Sequence, residues 1–263
     1  MVEPAAGKRK VLVTRPAGEA ADRLRAAVKS AGYEAYHQPL LTLHSLPQLN
    51  ARQRQMVRDL DLYQHVIFIS GNAVRFGMAV MEDCWPQLPV GLMWYAIGTA
   101  TAALLESYAI DAVTPEGDMS SEGLLAVPQL QSLCDERVLI VKGEGGRDTL
   151  ARELTRRGAQ VDELDCYRRD VPDLPRGSFA ANLTSWGIEV ILLSSGEGLA
   201  NLQLLLSPAE TSNFKHICLI VPSQRVARMA LEVGFDEVVT AENASDEAML
   251  RALQERKPAL ESD

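Results

Sequence analysis

The feature that most constrains this chain is that it is written twice. A shift of about 126 residues brings Asp22, Leu24, Val28 and Gly32 onto Asp148, Leu150, Leu154 and Gly158. Within a residue, the same shift brings Arg15 onto Lys142, Ser70-Gly71 onto Ser195-Gly196, Gly98 onto Ser223, Thr114 onto Thr240 and Ser120 onto Ser245. The chain therefore reads as a diverged tandem repeat of one structural unit. Its 263 residues suit two modest domains, although a single α/β barrel also reaches this length.

The unit itself is α/β. Short apolar runs, Val11-Leu12-Val13, Val66 to Ile69, Val138 to Val141, Val190 to Leu193 and Ile217 to Val221, alternate with helical patterns. Continuous apolar strands separated by helices imply parallel sheets covered on both faces. Leu150 and Leu154 follow one helical face and Gly158 stops it, and Leu24, Val28 and Gly32 do the same in the first half. In open sheets of this kind ligands sit at the carboxyl ends of the strands, where helices begin. Each half has four such junctions, in the order basic residue, Ser-Gly, Gly or Ser, and Ser. Small residues there bare backbone N–H groups, and a helix start adds positive potential, which together favour anions.

Composition narrows the function. With 47% apolar and 23% charged residues the chain is an ordinary folded protein. A net charge of −9 opposes general nucleic-acid binding, which is driven by clustered basic residues. The four cysteines, Cys84, Cys134, Cys166 and Cys218, contain no Cys-x-x-Cys, and the four histidines form no i, i+4 pair beside a carboxylate, so neither a metal nor a redox site is expected. The stretch from Met1 to Lys10 lacks the apolar segment of an export signal, and the near-apolar run from Leu92 to Leu105 is too short for a bilayer span; a cytoplasmic protein is expected.

Several local signals have two readings. Lys142-Gly143-Glu144-Gly145-Gly146-Arg147 follows a strand and opens a helix, but Asp148 stands where a dinucleotide fingerprint needs its third glycine. An anion-binding turn, a structural tight turn and a nucleotide site remain open for it. Arg15, Lys142, Arg147 and Arg225 are either carboxylate ligands or solvated charges. Ser120 and Ser245, each with Glu two residues on, read as helix caps. Thr99 and Thr101 crowd one helix start and read equally as packing or as function. Tyr167, whose counterpart in the other half is Leu41, is either a proton or hydrogen-bond donor or a strand tyrosine with its hydroxyl in water. No Gly-x-Ser-x-Gly is present, and the many carboxylates show no pattern.

Taken in order, Val11-Leu12-Val13-Thr14-Arg15-Pro16, Phe68-Ile69-Ser70-Gly71-Asn72-Ala73-Val74, Ala96-Ile97-Gly98-Thr99-Ala100-Thr101-Ala102, Gly143-Glu144-Gly145-Gly146-Arg147, Cys166-Tyr167-Arg168-Arg169 and Glu242-Asn243-Ala244-Ser245 resemble the uroporphyrinogen-III synthase family, its bacterial members above all. The resemblance runs over nearly the whole chain. It implies two flavodoxin-like domains with parallel sheets, joined by a two-stranded hinge, with a large cleft between them. Residues 1–38 and 174–263 would form one domain, 46–166 the other, and 39–45 with 167–173 the hinge. The tandem repeat is compatible with this if the first strand of each half is exchanged.

The activity implied is that of a lyase: hydroxymethylbilane loses water and closes to uroporphyrinogen III with inversion of ring D, without a cofactor. Catalytic roles fall on Tyr167, matched to a tyrosine proposed to assist departure of the hydroxyl, and on Thr101. The substrate's eight carboxylates would meet Thr14, Arg15, Ser70, Gly71, Asn72, Gly98, Thr99, Lys142, Gly145, Gly146, Arg147, Ser195, Gly196, Ser223 and Arg225. The second-half helix start, Ser223-Gln224-Arg225-Val226, departs from the pattern: Val226 stands opposite Thr101, so no catalytic threonine carries over there. Partners expected are the linear tetrapyrrole and, transiently, the upstream hydroxymethylbilane synthase, with the chain a monomer. A non-catalytic two-domain binding protein for an acidic small molecule is the alternative, and a nucleotide-dependent enzyme a weaker third.

Overall fold

The computed structural model describes residues 8–46 and 49–256. The expectation drawn from the amino-terminal stretch up to Gly7 lies outside these residues, as does the end of the 174–263 segment. The chain begins with strand β1 (Lys10–Val13), helix α1 (Glu19–Ser30) and strands β2 (Glu34–His37) and β3 (Thr42–Ser45). Next come α2 (Ala51–Arg58), β4 (His65–Phe68), α3 (Gly71–Glu82), β5 (Met93–Ala96), α4 (Thr99–Glu106), β6 (Ala112–Val113) and α5 (Ser121–Leu125). The repeat then restarts with β7 (Arg137–Gly143), α6 (Thr149–Arg156) and β8 (Gln160–Asp170). It ends with α7 (Ser178–Trp186), β9 (Val190–Leu192), α8 (Gly196–Leu205), α9 (Pro208–Phe214), β10 (Cys218–Val221), α10 (Gln224–Val233), β11 (Val238–Thr240) and α11 (Asp246–Glu255).

Two compact units result. The first takes the described residues up to Thr42 and those from Asp170 onward; the second is Leu43–Arg169. The first unit's sheet runs β11-β10-β9-β1-β2. Counted in chain order within the unit this is 2-1-3-4-5, the flavodoxin-like doubly wound order. The second unit's sheet runs β3-β8-β7-β4-β5-β6, which repeats the same order, with β7 in the place of β1 and β4 in the place of β9, and adds β3 at one edge.

The central pairings explain how a tandem repeat makes two such units. β1 pairs in parallel with β9, Val11 opposite Val190, and β7 pairs in parallel with β4, Val138 opposite His65. Each half thus lends its opening segment to the sheet built by the other half. The exchanged piece is more than the opening strand of each half. β2 pairs with β1 and β8 with β7, so a whole strand-helix-strand moves. The helix goes with its strands because its apolar stripe must cover the face they form.

Alternation along the strands sorts the core. In the first unit Leu12, Ile191 and Leu219 pack against Phe179, Leu183, Leu199 and Leu202, while Val11, Val13, Leu192 and Ile220 pack against Leu24, Val28, Met249 and Leu253. In the second, Val66, Phe68, Leu139 and Val141 meet Val74, Met78 and Leu105, and Ile67, Val138 and Ile140 meet Leu124, Leu150 and Leu154. Burial on both faces is why these strands are continuously apolar. Gly32 and Gly158 close the paired helices with φ of +94° and +98°, a conformation glycine adopts without steric cost.

Cys166 and Cys218 are buried, and Cys84 and Cys134 exposed. Burial pushes the Cys166 and Cys218 thiols up from 9.0 to about 12. Their neutral forms are favoured by folding, so that contribution to stability is complete below pH 9 and is lost as pH rises toward 12. Cys134 is held protonated by the charge of adjacent Asp135. A disulfide reagent at pH 8 is expected to titrate Cys84 first and Cys134 more slowly. Cys166 and Cys218 should become reactive only after unfolding; their reaction in the folded protein would contradict this packing.

Candidate functional site

In a doubly wound sheet the switch point, where neighbouring strands continue to opposite sides, is where the carboxyl edge opens. In the second unit it falls between β7 and β4. A cavity of about 430 Å³ lies on that edge. Ile69, Ile97, Ile140 and Leu150 make its apolar lining, and Lys142, Arg147 and Arg169 bring cationic groups to it. Gly146, Met119, Ser120, Ser121 and Glu163 complete much of the wall. Three expected site residues, Lys142, Gly146 and Arg147, are therefore brought together.

Lys142 is the unusual member. Its side chain is only 10% exposed, and Nζ donates to Glu163 Oε1 at 2.6 Å. β7 and β8 pair with Ile140 opposite Glu163 and Lys142 opposite Asp165, so both carboxylates stand on the lysine's face of the sheet. Burial pushes the Asp165 carboxyl up, against the pull of Lys142, and the charges of Glu163 and Glu144 add to the rise. Arg147, by contrast, is exposed and makes no ion pair with a described residue. Gly145 and Gly146, at φ +74° and +90°, form the left-handed turn that carries the chain from β7 to Arg147.

One residue beyond Lys142 the register breaks: Gly143 stands opposite Tyr167, and Cys166 is the extra residue on β8. This bulge re-aims Tyr167. In regular alternation Tyr167 would share a face with Glu163 and Asp165; instead it joins Cys166 in the core against α3. Its ring is 3% exposed and stacks on Phe76 at 5.2 Å between centroids. Its hydroxyl lies 3.3 Å from Ser70 Oγ, just past the carboxyl end of β4. Gly143 makes the room, because a Cβ there would sit 2.6 Å from the Tyr167 ring.

The other expected residues of this unit keep to the same edge with plainer duties. Ser70 caps α3 by accepting from the Ala73 amide, and Gly71 and Asn72 form its first turn. Gly98 precedes α4 under the side chain of Met119, whose Sδ lies 3.7 Å from Thr99 Oγ1. Thr99 is exposed and Thr101 is buried within the helix. Ser120 caps α5.

In the first unit the equivalent switch point lies between β1 and β9. Thr14 is buried there and donates to the Leu192 carbonyl at 2.6 Å. Arg15, counterpart of Lys142, forms an ion pair with Asp246 and donates to the Ala244 carbonyl and Ser194 Oγ. With its guanidinium engaged three ways it fastens α11 to the sheet edge. Ser195 and Ser223 cap α8 and α10, Gly196 lies beside the Arg225 guanidinium, and Arg225 is exposed. Ser245 caps α11.

Sequence reasoning missed Glu163, Asp165 and Met119. The two acids alternate along one strand, Glu163-Leu164-Asp165, a signal that gains meaning only once β8 is known to lie beside Lys142. Met119 carried no signal.

Two doubly wound parallel sheets, each with a capped and cation-bearing carboxyl edge, define a two-unit α/β protein of the flavodoxin-like class. A family model described as Uroporphyrinogen-III synthase HemD matches residues 22–251. A uroporphyrinogen-III synthase of Escherichia coli is 33% identical over 252 residues, covering 93% of this chain and 99% of the relative. One of Salmonella typhimurium is 35% identical with the same coverage. The chain belongs to the uroporphyrinogen-III synthase family, lyases of tetrapyrrole biosynthesis. Solved structures agree on the fold. A mutant uroporphyrinogen III synthase from Thermus thermophilus has a TM-score of 0.61 at 18% identity, with 94% of this chain and 100% of that one covered. One from Helicobacter pylori has 0.56 at 17%, with the same coverage. Among the described residues no helix is long and apolar enough to cross a membrane.

Gly143→Ala places a methyl group where the Tyr167 ring now lies. It is expected to cost about 1–3 kcal/mol by overpacking, measured as a lowered denaturation midpoint in urea. An unchanged midpoint would mean that the ring is not held by this contact.

Proposed function

We propose that this chain closes hydroxymethylbilane to uroporphyrinogen III, and that the second unit's switch-point cavity receives one pyrrole ring with its carboxylate arms. The observation that carries this is the joining, in one cavity, of an isoleucine lining to Lys142, Arg147 and Arg169. A pyrrole carrying acetate and propionate arms needs that combination: apolar surface for the ring and charge-assisted donors for the arms. Gly145, Gly146, Gly71 and Asn72 add backbone donors along the same edge, with Gly98 and Thr99 beside them. Ser195, Gly196, Ser223 and Arg225 form the corresponding edge of the first unit and suit further carboxylates, with Thr14 bracing that edge through its bond to the Leu192 carbonyl. A net charge of −9 is no obstacle where cations are gathered locally.

Chemistry needs one assisted departure and much positioning. Loss of the ring A hydroxyl as water leaves an azafulvene; ring D attacks it through its substituted carbon, and the spiro intermediate fragments and recloses with ring D inverted. Tyr167 is the proton donor of this reading. What supports it is a phenol fixed by Gly143 and Phe76, with its hydroxyl at Ser70 on the strand edge. Thr101, buried in α4, acts through the packing of that helix start rather than by touching substrate. Holding a flexible four-ring chain in the attacking geometry supplies much of the remaining acceleration. The chain acts as a monomer in this reading, since its large exposed apolar residues, Leu62, Val90, Met119, Leu204 and Leu231, are spread over separate elements. Contact with the upstream synthase would be brief.

Hydroxymethylbilane generated in situ by its deaminase, with products oxidised and the isomers separated, tests the activity. Type III uroporphyrin is expected to dominate; type I in the amount formed without the protein would refute the reading. Tyr167→Phe is expected to slow turnover by about 10- to 1000-fold, with the denaturation midpoint little changed. Turnover at the wild-type rate would remove Tyr167 from the chemistry.

A further inference from the structure

The cavity holds one group that a polycarboxylate ligand should not meet. Glu163 faces it, 38% exposed, yet it is the only described partner of the Lys142 ammonium. A lysine this buried needs a counter-ion, because an unpaired ammonium in low dielectric is costly. The first unit shows what a permanent solution looks like: Arg15 is tied by Asp246, a carbonyl and a hydroxyl. Lys142 makes a single hydrogen bond among the described residues, although an ammonium carries three donors.

Glu163 also borders a second cavity, of about 320 Å³, on its other side, lined by Asn50, Arg52, Gln53, Thr155 and Asp165. In this polar chamber the Thr155 hydroxyl and the Gln53 amide already donate to the Ala151 and Asp165 carbonyls, so a carboxylate that leaves Lys142 would meet the Asn50 amide and the Arg52 guanidinium, which uses one N–H on Asp162 Oδ1. Asp165, meanwhile, remains on the lysine's face, with Oδ1 buried and without a hydrogen-bond partner among the described residues. Its field keeps negative charge beside Lys142 whichever way Glu163 points.

We infer that Glu163 is a displaceable internal counter-ion. It occupies Lys142 when the cavity holds no ligand, yields the ammonium to a substrate carboxylate by turning into the second cavity, and returns as product leaves. Glu163 is thus a positioning residue that weakens binding of substrate and product alike and keeps the polyanion exchangeable. This rests on the reading of the Lys142 cavity as a carboxylate site.

A double-mutant cycle tests both at once, with KM and kcat for hydroxymethylbilane measured on folded wild type, Lys142→Met, Glu163→Gln and the double variant. Lys142→Met is expected to raise KM; an unchanged KM would overturn the cavity reading and this inference with it. Glu163→Gln is expected to lower KM about three- to fivefold, the scale of a partly exposed ion pair, and to change KM no further once Lys142 is gone. If Lys142→Met raises KM but Glu163→Gln does not lower it, the counter-ion role fails while the cavity reading stands. A drop of equal size in the Lys142→Met background would reveal a diffuse charge effect and equally refute it. Should Glu163→Gln not fold, Glu163→Asp, which keeps the charge but shortens its reach, is expected to lower KM in the same sense; an unchanged KM would overturn the inference.

Discussion

Everything in this molecule hangs on two parallel strand pairs, β1 with β9 and β7 with β4, each of which joins segments belonging to different repeats. Those four strands are buried on both faces and carry both cores of their units. Their pairing also creates the two switch points, and so decides where a strand edge opens. Had each half paired its own opening strand with its own second one, Lys142 would not share a cavity with Ile69 and Ile97. The position of the site is a consequence of the exchange.

At both switch points a cation ends the first strand, and at both it is neutralised from within its own unit, though from different directions. Arg15 is met by a helix residue, Asp246; Lys142 is met by a strand residue, Glu163. Symmetry of the scaffold has therefore not preserved symmetry of the charges. The bulge at Gly143 breaks it further, since it is what turns Tyr167 away from the carboxylates and toward Ser70. One register shift separates an acidic strip from a phenol along neighbouring residues of a single strand.

Much of the framework was legible because it is governed by local rules. Val66 to Phe68 and Val138 to Val141 read as doubly covered strands, and Ser120, Ser245, Gly32 and Gly158 read as helix ends, for reasons internal to a few residues. The exchange was not legible, because the first strand of either half has the same apolar pattern wherever it pairs. β2, with Glu34 exposed and Tyr36 and His37 only partly buried, carries little strand signal of its own. At the site, the basic and serine junctions were visible, but not that Arg15 is tied to Asp246 or that Lys142 is paired with Glu163. Both facts depend on acids, Asp246 and Glu163, that come close only after folding.

The exchange also imposes an order on synthesis. The second unit, Leu43–Arg169, is contiguous and has every strand it needs once β8 has left the ribosome. β1, made before that unit, pairs with β2 on one side and must wait for β9 on the other. Val11 and Val13 can be covered at once by Leu24 and Val28 of α1, but Leu12, on the other face, waits for Phe179, Leu183 and Leu199 until the whole inserted unit has been translated. Short length, the flanking charges of Lys8 and Arg9 and the lysine that opens the strand, Lys10, are the features that let such a strand wait without finding the wrong partner.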